Sequence, residues 1–328
     1  MKRHFVIPGF MLLLHAVAGS SPAAHAQAQA NYPNKPIRII DGFPPGGPTD
    51  FLARAIAPHM LERLKQNMVI DNRPGAGGSM AAELTKNARP DGYTLMLVTS
   101  GTHAINASLY SKLAYDPIRD FTPIALAANG ANVLVVPPQL PVYSVKELIA
   151  LARAKPGELN FASSGVGTTV HLSGELFNTM AGVKTTHVPH KGAPEALTNV
   201  IAGRVQFMVA SMASSLQMVS SGRLRALGVT SPRRQPALPD VPAIAEFLPG
   251  YEAVVWFGVV GPAGVPQSIV ATLNRALVES IQIPEVKLRL TSAGLDPVTG
   301  NPEEFAALIR AEVPKWAQVV KASGARAD

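Results

Sequence analysis

What most limits the fold of this chain is an alternation, kept up almost to its end, of short β-branched runs, glycine-bearing turns and helical patterns. It begins at "IRII", Ile37 to Ile40, a run of strand length. "FPPGGPTDFLARAIAPHM" follows, and in it Phe51, Leu52, Ala55, Ile56 and Met60 recur with helical spacing. The reading is strand, Gly-Gly turn, helix, with Thr49 or Asp50 as N-cap. Backbone N–H groups at such a helix start have no internal partner and carry the positive end of the dipole. That geometry attracts an anion.

The unit recurs along the chain. "NMVIDNRPGAGG" reads as a strand and glycine turn, "SMAAELTKNA" as a helix, and "TLMLV" as a strand entering the polar loop "TSGTHAIN". A second series starts near "NVLVVPP". It continues with the helix "SVKELIALARAK", the strand "LNFASSG", the loop and helix "VGTTVHLSGELFNTMAG", then "THVPHKG" and the helix "APEALTNVIAG". After the strands "VQFMVAS" and "AVVWFGVVGP" come three helical segments, the last ending at "WAQVVKASG". Such a succession specifies an α/β fold with a largely parallel sheet, whose ligands sit beyond the carboxyl ends of the strands. Two series predict two lobes with polar loops facing a shared cleft.

At 328 residues the chain has room for two domains. Its first residues read differently from the rest. "MKRHF" is basic, "FVIPGFMLLLHAVAG" is apolar but too short for a membrane span, and "AHA" at Ala24–Ala26 offers a small-residue cleavage site. Residues 1–26 are therefore expected to be a signal peptide, with Ala28 and Ala30 as alternative sites. Loss of Lys2 and Arg3 lowers the formal charge from +7 to +5. No cysteine is present, which excludes disulfides, thiolate metal sites and a cysteine nucleophile. A disulfide-free exported chain of this size points to a bacterial periplasm. Basic residues are scattered and aromatics are only 6%, so nucleic acid is not the expected partner.

Several blocks, in order, resemble one known family. They are "FPPGGPTDFLARAIAPHM", "VIDNRPGAGGSMAAEL", "RPDGYTLMLVTSGTHAINASLY", "YDPIRDFTPIALAA", "LNFASSGVGTTVHLSGELF", "HVPHKGAPEALTNVIAGRVQFM", "GRLRALGVTSPRRQPALPDVPAIAE" and "WFGVVGPAGVP". Together they are similar to the Bug (Bordetella uptake gene) family, the periplasmic solute-binding receptors of tripartite tricarboxylate transporters. The likeness runs from about Tyr32 to Arg326. It implies a type II periplasmic-binding-protein fold, α/β, with two domains joined by two crossing strands around a ligand cleft. Domain 1 would comprise 31–129 and 256–328, and domain 2 would comprise 130–255. The implied ligand is a small organic acid, a mono- or dicarboxylate, and the implied partner is a membrane permease or a sensor protein. The protein would be a monomer without cofactor or metal.

The expected site follows from the loops. Pro45, Gly46, Gly47, Thr49 and Asp50 form one jaw, in which positive φ at Gly46 and Gly47 would let the backbone approach a ligand. The resemblance implies that this jaw presents amides and bridging waters to a carboxylate. Its other reading is a bare strand-to-helix turn. Ser163, Ser164, Gly167, Thr168 and Thr169 would form the opposing jaw, since one N-cap does not require four hydroxyls. Thr102 and His103 would line the first-domain wall, although His103 reads equally as a surface histidine. At His190 the family usually has tyrosine, within "VPYKG". At Ala210 many relatives carry aspartate, so alanine would make the pocket less acidic. Trp256 and Phe257 read as core or hinge packing. Among enzymes, no G-x-S-x-G elbow, H-E-x-x-H pair or phosphate-binding loop occurs. The rival function is a periplasmic hydrolase using His103 or His190 as general base.

Overall fold

The structure, a computed structural model, describes residues 32–327, so the signal peptide expected over 1–26 lies outside the described residues. The strands are β1 (Ile37–Asp41), β2 (Met68–Asn72), β3 (Thr94–Thr99), β4 (Phe121–Val136), β5 (Asn160–Ser163), β6 (Thr186–Pro189), β7 (Phe207–Ser211), β8 (Arg225–Val229), β9 (Val254–Pro262) and β10 (Leu295–Pro297). The helices are α1 (Pro48–Leu64), α2 (Ser79–Lys86), α3 (Asn106–Leu109), α4 (Val145–Ala154), α5 (Thr169–Ala181), α6 (Ala193–Ile201), α7 (Met212–Ser220), α8 (Gln267–Gln282), α9 (Pro284–Ser292) and α10 (Pro302–Ser323).

β4 organises the molecule. From Phe121 to Ala131 it pairs antiparallel with β9, and β10 joins it at Ala128–Gly130. From Asn132 onward it pairs with β7 and with β8 instead. One continuous strand thus leaves the first lobe, where β2, β1 and β3 run parallel, and enters the second, where β6, β5 and β7 run parallel. The return connection is the start of β9. Ala253 N–H donates to Thr230 O on the second-lobe side, and Val254 already pairs with Ala131. This is the type II binding-protein architecture, with α8 to α10 added back to the first lobe.

Side-chain alternation along the strands sorts the core. In β4, Leu134 and Val136 face a cluster holding Phe161, Phe177 and Phe207, whereas Val133 and Val135 face one holding Met208, Ala210 and the α6 residues Ala196 and Leu197. The first lobe closes around Ile40, Met96, Val98, Trp256, Phe305 and Trp316.

Two expectations fail here for physical reasons. The sheet is less parallel than expected, because both connecting strands run against their neighbours. "TSGTHAIN" is no polar surface loop. Gly101–Ile105 is a wholly buried π-helical turn running into α3. Thr102 satisfies it locally, its hydroxyl accepting from Thr99 N–H and donating to Thr99 O, while Tyr115 OH donates to Thr102 O.

Candidate ligand-binding cleft

An inner pocket lies where the lobes meet, with about 610 Å³ of atom-free space, part of it open to solvent. Its floor is the pair of connecting strands, through Gly130, Ala131 and Asn132 of β4 and Val255 and Phe257 of β9. The first lobe supplies Phe43, Pro44, Gly47, Pro48, Thr49 and Thr99. The second supplies Ser164, Thr168 to Val170, Gly192, Ala193 and Ser211. None of the lining side chains is charged, and none is a histidine.

What the pocket has instead is helix ends. The N-cap residues of α1, α5, α6 and α7 are Gly47, Thr168, Gly192 and Ser211, and all four line it. Only Thr168 caps its own helix with a side chain, its Oγ1 accepting from His171 N–H at 3.2 Å. The other three starts have no side-chain cap, which leaves first-turn N–H groups for a ligand or water. Each helix start carries roughly half a positive charge and holds an anion by about 0.3–2 kcal/mol, more where water is excluded. Thr49 lines the pocket as well. Its Oγ1 is buried at the pocket wall without a hydrogen-bond partner. It lies near enough to Asp41 to hold that carboxyl's pKa down, but not in hydrogen-bonding geometry.

Of the residues expected at the site, Gly47, Thr49, Ser164, Thr168 and Thr169 come together in this pocket. The others do not line it. Pro45 and Gly46 are exposed on the outside of their turn. Only Gly46 has positive φ, +84°, whereas Gly47 sits at −80°, a value open to any residue. Asp50 is scaffolding. It accepts from Gly46 N–H, Arg54 Nε–H and an Asn72 amide N–H, which pins the turn onto α1 and β2 and holds the carboxyl below its ordinary pKa. Beneath the same turn burial pushes Asp41 up to about 7, against the opposing hydrogen bond from Phe43 N–H. Ser163 is buried under the second jaw and bonds to Gly165 and His187. Gly167 meets Asn106 and Leu109 of the first lobe.

Thr102 and His103 belong to the core. The Thr102 hydroxyl proton is used on Thr99 O, so His103 Nδ1 donates to Thr102 Oγ1, and Nε2 is left without a partner beside Phe121 and Tyr115. Burial pushes the His103 pKa down to about 3. A ring so enclosed cannot serve as general base to a ligand in the cleft. His190 lines a larger outer chamber beyond Phe43 and Pro44, with Lys191, Glu195 and Tyr110, and its Nδ1 lies 3.7 Å from Glu195. Ala210 faces the α6 cluster because β-strand alternation turns it away, and Ser211, one residue on, faces the pocket. Phe257 lines the pocket as well, whereas its neighbour Trp256 lies in the core against Phe305. Among the described residues no group of three or more His, Asp or Glu is placed to hold a metal.

The lobes are closed on the pocket. A Cβ on Gly192 would lie 2.7 Å from Pro44 Cγ, and one on Gly77 would lie 2.8 Å from Val166 O. Both glycines occupy places where the opposite lobes touch without room for a side chain.

Residues 52–325 match the family described as tripartite tricarboxylate transporter family receptor. Protein BugT of Bordetella pertussis is 36% identical over 312 residues, 94% of this chain and 95% of that one. Among solved structures, R. palustris Rpa4515 with adipate is similar at TM-score 0.87 and 39% identity, covering 89% of this chain and 98% of that chain. MatC (Rpa3494) from Rhodopseudomonas palustris with bound malate is similar at TM-score 0.83 and 33% identity, covering 88% and 100%. The crossing strands and these likenesses agree: the chain belongs to the tripartite tricarboxylate transporter receptor family, whose Bug-type members are solute-binding receptors and not enzymes.

Proposed function

We propose that this receptor closes its inner pocket over the carboxylate of a small aliphatic mono- or dicarboxylic acid and presents it to a membrane permease. The observation that carries this reading is the convergence of four helix N-caps on a pocket with no charged side chain. Such a pocket favours an anion through fixed dipoles and N–H groups, and leaves no lysine or arginine to be buried unpaired when it is empty. Phe43, Val255 and Phe257 give it an apolar lining suited to a short carbon chain. Relatives solved with adipate and with malate support the choice of acid.

The same reading places the chain in the periplasm after cleavage of residues 1–26, as a monomer. Its lobes would divide near 129/130 and 255/256, close to where β4 exchanges β9 for β7 and β8 and where β9 begins. Ligand binding would stabilise the closed arrangement relative to an open one.

Isothermal titration with adipate, malate and dimethyl adipate tests the proposal. One of the acids should bind with a Kd on the order of 1 μM, about −8 kcal/mol. The diester, alike in shape but uncharged, should bind at least about a hundredfold more weakly, a difference of roughly 2.7 kcal/mol. Equal binding of acid and diester would rule out the helix ends as the recognition element.

A further inference from the structure

The ligand-facing loop of the second lobe rests on a buried pair of imidazoles that do not themselves line the pocket. His171 of α5 and His187 of β6 stack with ring centroids 3.9 Å apart and planes inclined by 20°. Gly167 N–H donates to His171 Nδ1 at 3.3 Å. That nitrogen must therefore carry a lone pair, which puts the ring proton on Nε2, 3.6 Å from Glu175 Oε1. His187 Nε2 lies 2.7 Å from Ser163 Oγ, and the same oxygen accepts from Gly165 N–H at 3.2 Å. Thr168 Oγ1 in turn donates to Gly165 O at 2.8 Å. Both ends of the loop that brings Ser164, Thr168 and Thr169 to the pocket are thus fixed to ring nitrogens.

The surroundings favour a neutral His187. The strands beneath contribute Phe161, which stacks on His187 at 4.9 Å, and Phe207 behind it. The ionisable groups facing the pair are Glu175, one turn along α5, and His190, beyond the end of β6. Burial, with His171 and His190 nearby, pushes the His187 pKa down to about 3. A proton on His171 Nδ1 would set donor against donor at Gly167.

We infer that His171 and His187 are positioning residues, a stacked pair whose ring nitrogens hold the Ser163–Thr169 loop in its ligand-binding shape. The inference rests on the reading of the inner pocket as the carboxylate site.

The test compares His171→Phe, which keeps a stacked ring and loses the acceptor, with His171→Asn, whose Oδ1 can replace Nδ1. Titrated with adipate at pH 7.5, His171→Phe should bind about tenfold more weakly, as expected for one lost hydrogen bond, and His171→Asn should stay within about threefold of wild type. Gly167 amide exchange, followed by NMR without ligand, should be protected in wild type and His171→Asn and at least about tenfold faster in His171→Phe. Unchanged Gly167 exchange in a folded His171→Phe protein, or wild-type adipate affinity in it, overturns the positioning role. Failure of wild type to bind adipate counts against the pocket reading alone, because the exchange measurement needs no ligand.

Discussion

Thr49→Val changes one atom of the pocket wall and sets ligand binding against stability. The Thr49 hydroxyl is buried with no hydrogen-bond partner of good geometry, and the one group it is seen to influence is Asp41. An unpaired buried polar group costs about 1–3 kcal/mol, and valine has nearly the same shape and a similar helix propensity. The variant should therefore be as stable as wild type or up to about 1 kcal/mol more stable, a Tm rise of roughly 2–4 °C for a protein of this size. Binding should move the other way. A hydrogen bond to a charged acceptor is worth about 1.5–3 kcal/mol, which predicts a loss of affinity of roughly 10- to 150-fold. Asp41 does not confuse the result. Loss of the nearby hydroxyl removes an influence that lowers its pKa, so the buried carboxyl stays neutral more readily. Urea denaturation of the apoprotein and calorimetric titration with the best-bound acid read the two effects separately. Clear destabilisation with unchanged affinity would show that Thr49 is structural and that the wall does not bind through it.

Other outcomes follow from the same geometry. Ser211→Asp supplies α7 with a good N-cap, so stability should hold or rise, while a fixed negative charge beside the carboxylate should weaken binding by at least about a hundredfold; normal binding would remove α7 from the site. Gly192→Ala should keep the lobes apart at Pro44, seen as a larger radius of gyration with ligand and at least about a tenfold loss of affinity; a fully compact, tight-binding variant would contradict the closed contact. Stability should depend on pH through three groups. His103 and His187 sit near 3 in the fold against an ordinary 6.5, so the unfolded chain takes up their protons first and stability falls as pH drops from about 6.5 towards 4. Asp41, near 7 in the fold against 3.8, acts in the opposite sense over the same window. The net slope should be on the order of 1 kcal/mol per pH unit, His187 counting for less because it is partly exposed, and Asp41→Asn should steepen it. Urea midpoints at pH 4.5, 5.5 and 6.5 that do not change, or an Asp41→Asn slope shallower than wild type, would refute this assignment.

The alternation of strands and helices was legible because it depends on local pattern, and so were the strand-to-helix turns that begin α1 and α5. The rest of the site depends on register and tertiary placement. Ala210 and Ser211 differ by one residue, yet strand alternation sends one into the α6 cluster and the other into the pocket. "HKGAPE" carries a helix-start signal at Gly192, but nothing local says that α6 begins in the same cavity as α1 and α5. His103 looked reachable because "TSGTHAIN" is polar, whereas the turn satisfies its own hydroxyls and buries the ring. The first half of β4, "FTPIALAANGA", lacks alternation because both of its faces are largely covered, and Pro123 and Gly130 disguise it further.

The most direct measurement is a crystal structure of the protein with the tightest-binding acid of the titration panel. The carboxylate should lie in the inner pocket, bonded to first-turn N–H groups of α1 and α5 and to Thr49 Oγ1, directly or through one water, with no lysine or arginine nitrogen within about 4 Å. A carboxylate paired to a cationic side chain, or seated in the outer chamber by Lys191 with the inner pocket empty, would contradict the account.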